Sequence, residues 1–222
     1  MPYRLQEFAE GEYYHLLGRG AGKQNIFADT RDYARFLFYI LYFQSPLPLY
    51  NIGRHVTSFI KEGQFGVEPK MKTRIVQERY TELVCFALMP NHFHLLVKEK
   101  TEGGISRMMQ RVLDGYTKYF NIRYKRSGHL FQGPFHAVHV GNNTQLLHLS
   151  AYLHRNPREL SRWKQQEEYY QWSSYQDYTR NNRWSNLLVS EVALGQFKNN
   201  REYLHFVKTS TAKKLREELL LD

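Results

Sequence analysis

Residues 83–97 read LVCFALMPNHFHLLV. The first seven are an uninterrupted apolar run, the pattern of a strand covered on both faces, and the run resumes at Phe93 after Pro90 and Asn91. Proline has no N–H to give a central ladder, so the segment reads as two adjacent strands joined by a tight turn rather than one long strand. Side chains alternate faces along a strand, which sends His92 and His94 to one side and Phe93 to the other. Two imidazoles on one face can share a metal ion. In a chain with 10 histidines the spacing fits a hydrogen-bonded core pair equally well.

Working outward, residues 12–17 (EYYHLL) are β-rich and stop at GRGAGK, whose glycines mark a turn. Residues 29–43 show helical apolar spacing behind Asp29 or Thr30 as cap, with Phe36, Leu37, Ile40 and Leu41 facing inward. Residues 45–72, with Pro46, Pro48 and Pro69, read as an insertion with a little structure of its own. Downstream, residues 104–123 form a helical pattern with Ile105, Met109, Val112, Tyr116 and Phe120 on one stripe. RSGHLFQGPFHAVHV, residues 126–140, is a turn followed by a strand; NNTQ then opens a helix that Pro157 ends after Asn156. Beyond about residue 180 the chain reads as helical, closing on KKLREELLLD. Strands alternating with helices, with no repeat, predict an α+β sandwich built on an antiparallel sheet.

The chain has 222 residues, and 31 Lys+Arg against 21 Asp+Glu give a formal charge of +10. Such a surface attracts polyanions, nucleic acid first. The 17 Tyr and 14 Phe add rings that can stack on unpaired bases, although many must serve the core. A membrane span is not expected, because the longest apolar run, residues 36–43, is far short of the roughly 20 residues required. The opening MPYRLQEFAEGEYY lacks a signal-peptide pattern, and a single cysteine, Cys85, offers no disulfide framework. The expectation is a cytoplasmic protein.

A second constellation lies on the helix after NNTQ. Helical residues four apart share a face, so Tyr152 and Asn156 are neighbours, Gln145 and His148 extend their stripe, and Leu146, Leu149 and Leu153 form the buried one. A tyrosine on such a stripe is more often a packing residue than a nucleophile, and spacing alone does not select Tyr152 from the rest. His148 and His154 read as structural or solvated. Cations in two glycine-containing loops, Arg19 and Lys23 in one and Arg123, Lys125, Arg126 with His129 in the other, sit beside backbone amides suited to phosphate, or simply form a solvated basic surface.

ALMPNHFHLLV, SGHLFQGPF, YLHRNP and QWSSYQDY, in that order, resemble the single-tyrosine HUH transposases, particularly the REP-associated tyrosine transposases. The resemblance spans roughly residues 11–178 and is carried by the co-occurrence of MPNHFHLL with the tyrosine-containing signature downstream; Pro134 stands where the family more often has an arginine. It implies a ferredoxin-like sandwich with a central antiparallel sheet, the HUH endonuclease fold, over residues 1–180, with residues 45–72 as an insertion and residues 181–222 as a helical C-terminal extension. It implies His92 and His94 as metal ligands, the Asn156 side-chain oxygen as a third, Tyr152 as nucleophile, and Mg²⁺ or Mn²⁺ as cofactor. The activity implied is that of a single-stranded DNA transposase or endonuclease, cutting and rejoining hairpin or repeat ends through a 5′-phosphotyrosine, as a monomer or homodimer. The alternative is a domesticated relative that binds structured DNA or RNA without cleavage. A small-molecule metal hydrolase would explain neither the charge nor the ordered motifs.

Overall fold

The computed structural model describes residues 7–210. The apolar run and its continuation form a hairpin of β2 (Thr81–Met89) and β3 (His92–Glu99), with Pro90 and Asn91 at the turn. β1 (Tyr13–Arg19) pairs antiparallel with β3 on one side and with β4 (His136–Val140) on the other. The sheet order is therefore β2-β3-β1-β4, every neighbour antiparallel. Helix α1 (Thr30–Tyr42) connects β1 towards β2, and α4 (Gly104–Arg123) connects β3 to β4. This is the split β-α-β-β-α-β arrangement, an α+β fold on an antiparallel sheet.

One face of the sheet packs on α1 and α4. Phe93 lies there, 5.0 Å from the Phe36 ring, which in turn meets Tyr116 of α4 edge-on at 5.1 Å. Opposite Phe93 on β1 stands Gly18, and only glycine fits: a Cβ at that position would overlap the Phe93 ring. Asp29 caps α1 by accepting from the backbone amides of Arg31 and Asp32. The fully buried Asp32 carboxylate then ties α1 to α4, accepting from Arg123 at 2.8 Å, from the Tyr119 hydroxyl at 2.9 Å and from the Tyr124 hydroxyl at 2.8 Å.

Residues 45–72 hold more structure than the sequence suggests: α2 (Ile52–Glu62) and the start of α3 (Pro69–Glu78). Val56 and Phe59 of α2 are buried, with Phe59 stacked on Phe65 at 4.4 Å and Phe65 edge-on to Phe38 of α1 at 5.1 Å. This covering explains a departure in α1, where Phe38 and Tyr42 are buried alongside the inward stripe. A helix covered on two sides loses its polar face.

The opposite face of the sheet is crossed by α5 (Asn143–Arg155), capped by the Asn142 side chain, with Leu146, Leu149 and Leu153 buried as expected. β2 is an edge of the sheet, and the QWSSYQDY stretch covers it. Leu88 N–H donates to the Trp172 carbonyl at 2.9 Å, Phe86 N–H to Ser174 Oγ at 2.9 Å, and the Tyr170 and Tyr178 hydroxyls to the Leu88 and Val84 carbonyls. An edge that would otherwise offer unpaired backbone groups is thereby closed. Beyond it come α6 (Tyr175–Thr179), α7 (Glu191–Leu194) and α8 (Asn200–Thr209). α8 docks on α5 through buried polar contacts: His154 reaches the Tyr203 hydroxyl at 2.7 Å and Ser174 Oγ at 2.8 Å, and Tyr203 donates to Ser150 at 3.0 Å. The charged stretch KKLREELLLD lies outside the described residues. Among those described, no helix is long and apolar enough to cross a membrane.

Replacing Asp32 with alanine removes one acceptor from the Arg123 guanidinium, which keeps Asp29, and one from each of two tyrosine hydroxyls. The expected loss is about 2 kcal/mol of folding stability, read as a lower urea midpoint at unchanged slope.

Candidate metal and nucleophile site

β3 aims His92 and His94 at the face crossed by α5, and the cross-strand register fills that face. Arg19 pairs with His92 and Leu17 with His94 on the β1 side, while Met89 and Ala87 flank them from β2. The two imidazoles meet edge-on with centroids 5.0 Å apart, and both are buried. Across them α5 lays Tyr152, whose ring stands edge-on to His94 at 5.7 Å and to His15 at 6.4 Å. One turn later Asn156 closes the helix, its amide N–H₂ donating to the Tyr152 carbonyl at 3.2 Å. The structure thus gathers His92, His94, Tyr152 and Asn156 from two elements of one chain.

His92 is held through its Nδ1, 2.7 Å from Asn91 Oδ1. The Asn91 amide N–H₂ donates to the Lys23 carbonyl at 3.2 Å, which fixes its oxygen towards the ring. An amide oxygen only accepts, so His92 carries its proton on Nδ1 and leaves the Nε2 lone pair for a ligand. Burial, then the Arg19 charge, takes the His92 pKa down to about 4. The Asn156 side chain stands beside the ring and works in the opposite direction without reaching hydrogen-bond geometry. His94 is held well below the ordinary histidine range, by burial first and then by His15, His92 and Arg19. Both rings are neutral near pH 7, the form that binds metal.

The test of a cation site is what the donors lack. Asn156 Oδ1 is buried without a hydrogen bond among the described residues. An orphaned amide oxygen costs about 1–3 kcal/mol, and here it lies beside a neutral imidazole that presents a lone pair. Two imidazole nitrogens and one amide oxygen are a donor set that suits Mg²⁺ or Mn²⁺, and imidazole tilts the choice towards Mn²⁺. The residues fit the group.

The two basic loops lie side by side. Ala21 N–H donates to the Leu130 carbonyl and Gln132 N–H to the Arg19 carbonyl, both at 2.9 Å, so residues 130–132 run along 19–21. Arg126 spans them, reaching Gln24 Oε1 at 3.0 Å and packing on Phe120. Arg19, Lys23, Lys125 and His129 are exposed. Arg123 is not part of this surface: its guanidinium is committed to Asp29 and Asp32 in ion pairs of 2.5 and 2.8 Å. A basic residue in the last turn of a helix looks solvated in sequence; the acids at the start of α1 that draw it inward come from far along the chain.

Two supporting residues escaped the sequence reading. Asn91 sits within the motif, but its grip on His92 depends on the Lys23 carbonyl. His15 lies in an unremarkable β-rich run and becomes visible only through the β1–β3 register, which places its Nε2 2.9 Å from His94 Nδ1.

With the hairpin, the crossing helix and the gathered side chains in view, the arrangement can be set beside known proteins. Residues 67–156 match the family described as transposase IS200 like. The matched stretch is under half of the chain, and it contains His92, His94, Tyr152 and Asn156. A solved structure, described as the REP-associated tyrosine transposase bound to a REP hairpin, is similar over 80% of this chain and 84% of its own, with a TM-score of 0.51 and 14% identity. That likeness bears on the fold alone. No curated protein matches the sequence.

Because Arg19 lowers the His92 pKa through its charge, Arg19→Ala should raise it. Titrating the His92 ring proton by NMR in the metal-free protein checks this; an unchanged or lower value would remove Arg19 from the electrostatics of the site.

Proposed function

We propose that this chain is a transposase that cuts and rejoins single-stranded DNA at hairpin or repeat ends, with Tyr152 as nucleophile. The observation that supports it best is the Tyr152 ring, set edge-on to His94 by a helix of the same chain that also delivers the unsatisfied Asn156 oxygen. The IS200-like match over these residues points the same way. The hairpin DNA described for the structurally similar protein suggests the class of substrate.

In this reading His92 Nε2, His94 Nε2 and Asn156 Oδ1 hold Mg²⁺ or Mn²⁺. Such an ion, when bound, neutralises charge on the scissile phosphate. The Tyr152 oxygen attacks phosphorus; its bond to phosphorus forms as the bond to the departing 3′ oxygen breaks, leaving a 5′-phosphotyrosine and a free 3′-OH. Attack by another 3′-OH reverses the step and releases the tyrosine. Arg19, beside His92, steadies the non-bridging oxygens, and the paired loops carrying Lys23, Lys125, Arg126 and His129 track the backbone on either side. The domain carrying this chemistry extends to about residue 180, and the helical segment after it braces α5 from behind through Tyr203.

Tyr152 serves the histidines of its own chain. Wild-type protein incubated with labelled hairpin DNA and Mn²⁺ should give an adduct that survives denaturation, and Tyr152→Phe should give none; adduct persisting in that variant sinks the assignment, while binding without adduct in the wild type favours a non-cleaving relative. Mixing Tyr152→Phe with a His92→Ala, His94→Ala variant should leave adduct absent. Recovery in the mixture would mean that tyrosines are exchanged between chains.

A further inference from the structure

His15 is a buried histidine that the chemistry above does not use. It is 1% exposed, at the centre of β1, and its ring stacks on that of His94 with centroids 5.1 Å apart and planes within 16°. In register it pairs with Leu96, so it reaches His94 along the diagonal between adjacent strands, a span that rings can cover. The contact is His15 Nε2 to His94 Nδ1, at 2.9 Å.

That contact can be made by two neutral tautomer pairs. If His15 carries its proton on Nε2, it donates to His94 Nδ1, and the neutral His94 ring must then bear its own proton on Nε2, which cannot bind a cation. If His15 carries its proton on Nδ1, its Nε2 accepts from His94 Nδ1–H, and the His94 Nε2 lone pair is left for a ligand. Asn91 imposes the second pattern on His92, since an amide oxygen has no other role. His15 is the corresponding partner for His94, and because an imidazole can switch roles, it is the less restrictive of the two.

We infer that His15 is a positioning residue that accepts the Nδ1 proton of His94, fixing the ring's orientation and presenting Nε2 to the divalent cation. This rests on the metal reading of the site above. The stacked geometry adds a second effect: His15 also stands edge-on to Tyr152, so one ring sets the placement of a ligand and borders the nucleophile. Outer partners of this kind commonly change metal affinity by about 10–100-fold.

The test uses the full chain without DNA and Mn²⁺ as the probe. In the wild type, the ring-proton signals of His92 and His94 should broaden first as Mn²⁺ is added. His15→Leu should move the broadening midpoint up by about tenfold or more, with the metal-free protein still folded by its NMR spectrum. His15→Gln, whose amide oxygen can accept the same proton, should stay close to the wild type. An unchanged midpoint in His15→Leu, or an equal loss in both variants, overturns the role of His15 alone. Wild-type rings untouched by Mn²⁺ would overturn the metal reading and this inference with it. Independently of any variant, long-range ¹H–¹⁵N correlations in the Mg²⁺-loaded wild type should show His94 protonated at Nδ1. Protonation at Nε2 instead rules the proposal out.

Discussion

The register of β3 between β1 and β2 is the constraint on which the site depends. A slip of one residue would exchange the two faces of the strand, sending His92 and His94 into the aromatic core between α1 and α4 and turning Phe93 towards α5. Gly18 and Phe93 favour the observed register: the Phe93 ring occupies the space that a Cβ at position 18 would fill. Phe93 also packs on Phe36 and Phe131. The apolar residue between the two histidines is thus what keeps them facing the other way.

Around that register the polar contacts are graded by depth. At the surface the loops at 19–24 and 129–132 hold one another through backbone hydrogen bonds, and the Asn91 carbonyl accepts from Gly20 at 2.9 Å, fastening the β2–β3 turn to them. Below them Asn91 and His15 each take one imidazole by its Nδ1 atom. On the far side of α5, His154, Ser150, Ser174 and Tyr203 lock the helix against α8 and the strap along β2. Tyr152 and Asn156 are therefore held from behind by a buried network, and they face a site whose own side chains are held from below. Geometry of this kind needs little reorganisation when charge develops.

The sheet, its two covering helices and α5 were legible because each follows from a local period: an apolar run broken by Pro90, a helical stripe ending at Pro157, a capping Asp29. The fold of residues 45–72 was not, because α2 is anchored by only a few buried residues, Val56 and Phe59 among them, and the rings that meet Phe59, Trp172 and Trp184, come from distant parts of the chain. The histidine pair could be seen as sharing a face, but whether it faced a nucleophile or a core depended on what crosses the sheet. Motif order supplied Tyr152 and Asn156; no periodicity could have. His15 and the inward turn of Arg123 lay beyond either route, since both are pairings across more than seventy residues of sequence.

Under the proposed function, the charge pattern bears on why an amide, and not a carboxylate, would stand third beside the two imidazoles. His92, His94 and Asn156 are neutral donors, and Arg19 adds a positive charge close enough to depress both histidines. A cation held by neutral donors keeps its full charge for whatever oxygen arrives next, whereas a glutamate or aspartate at position 156 would spend part of it and repel a phosphodiester. Neutral ligands next to an arginine bind a divalent ion weakly by themselves, so under the proposed function the arrangement would favour joint occupancy, with a substrate phosphate supplying the anionic oxygen that the protein withholds. In the proposed reading, the buried Asn156 oxygen without a hydrogen bond among the described residues is the acceptor that a cation arriving with the substrate would engage.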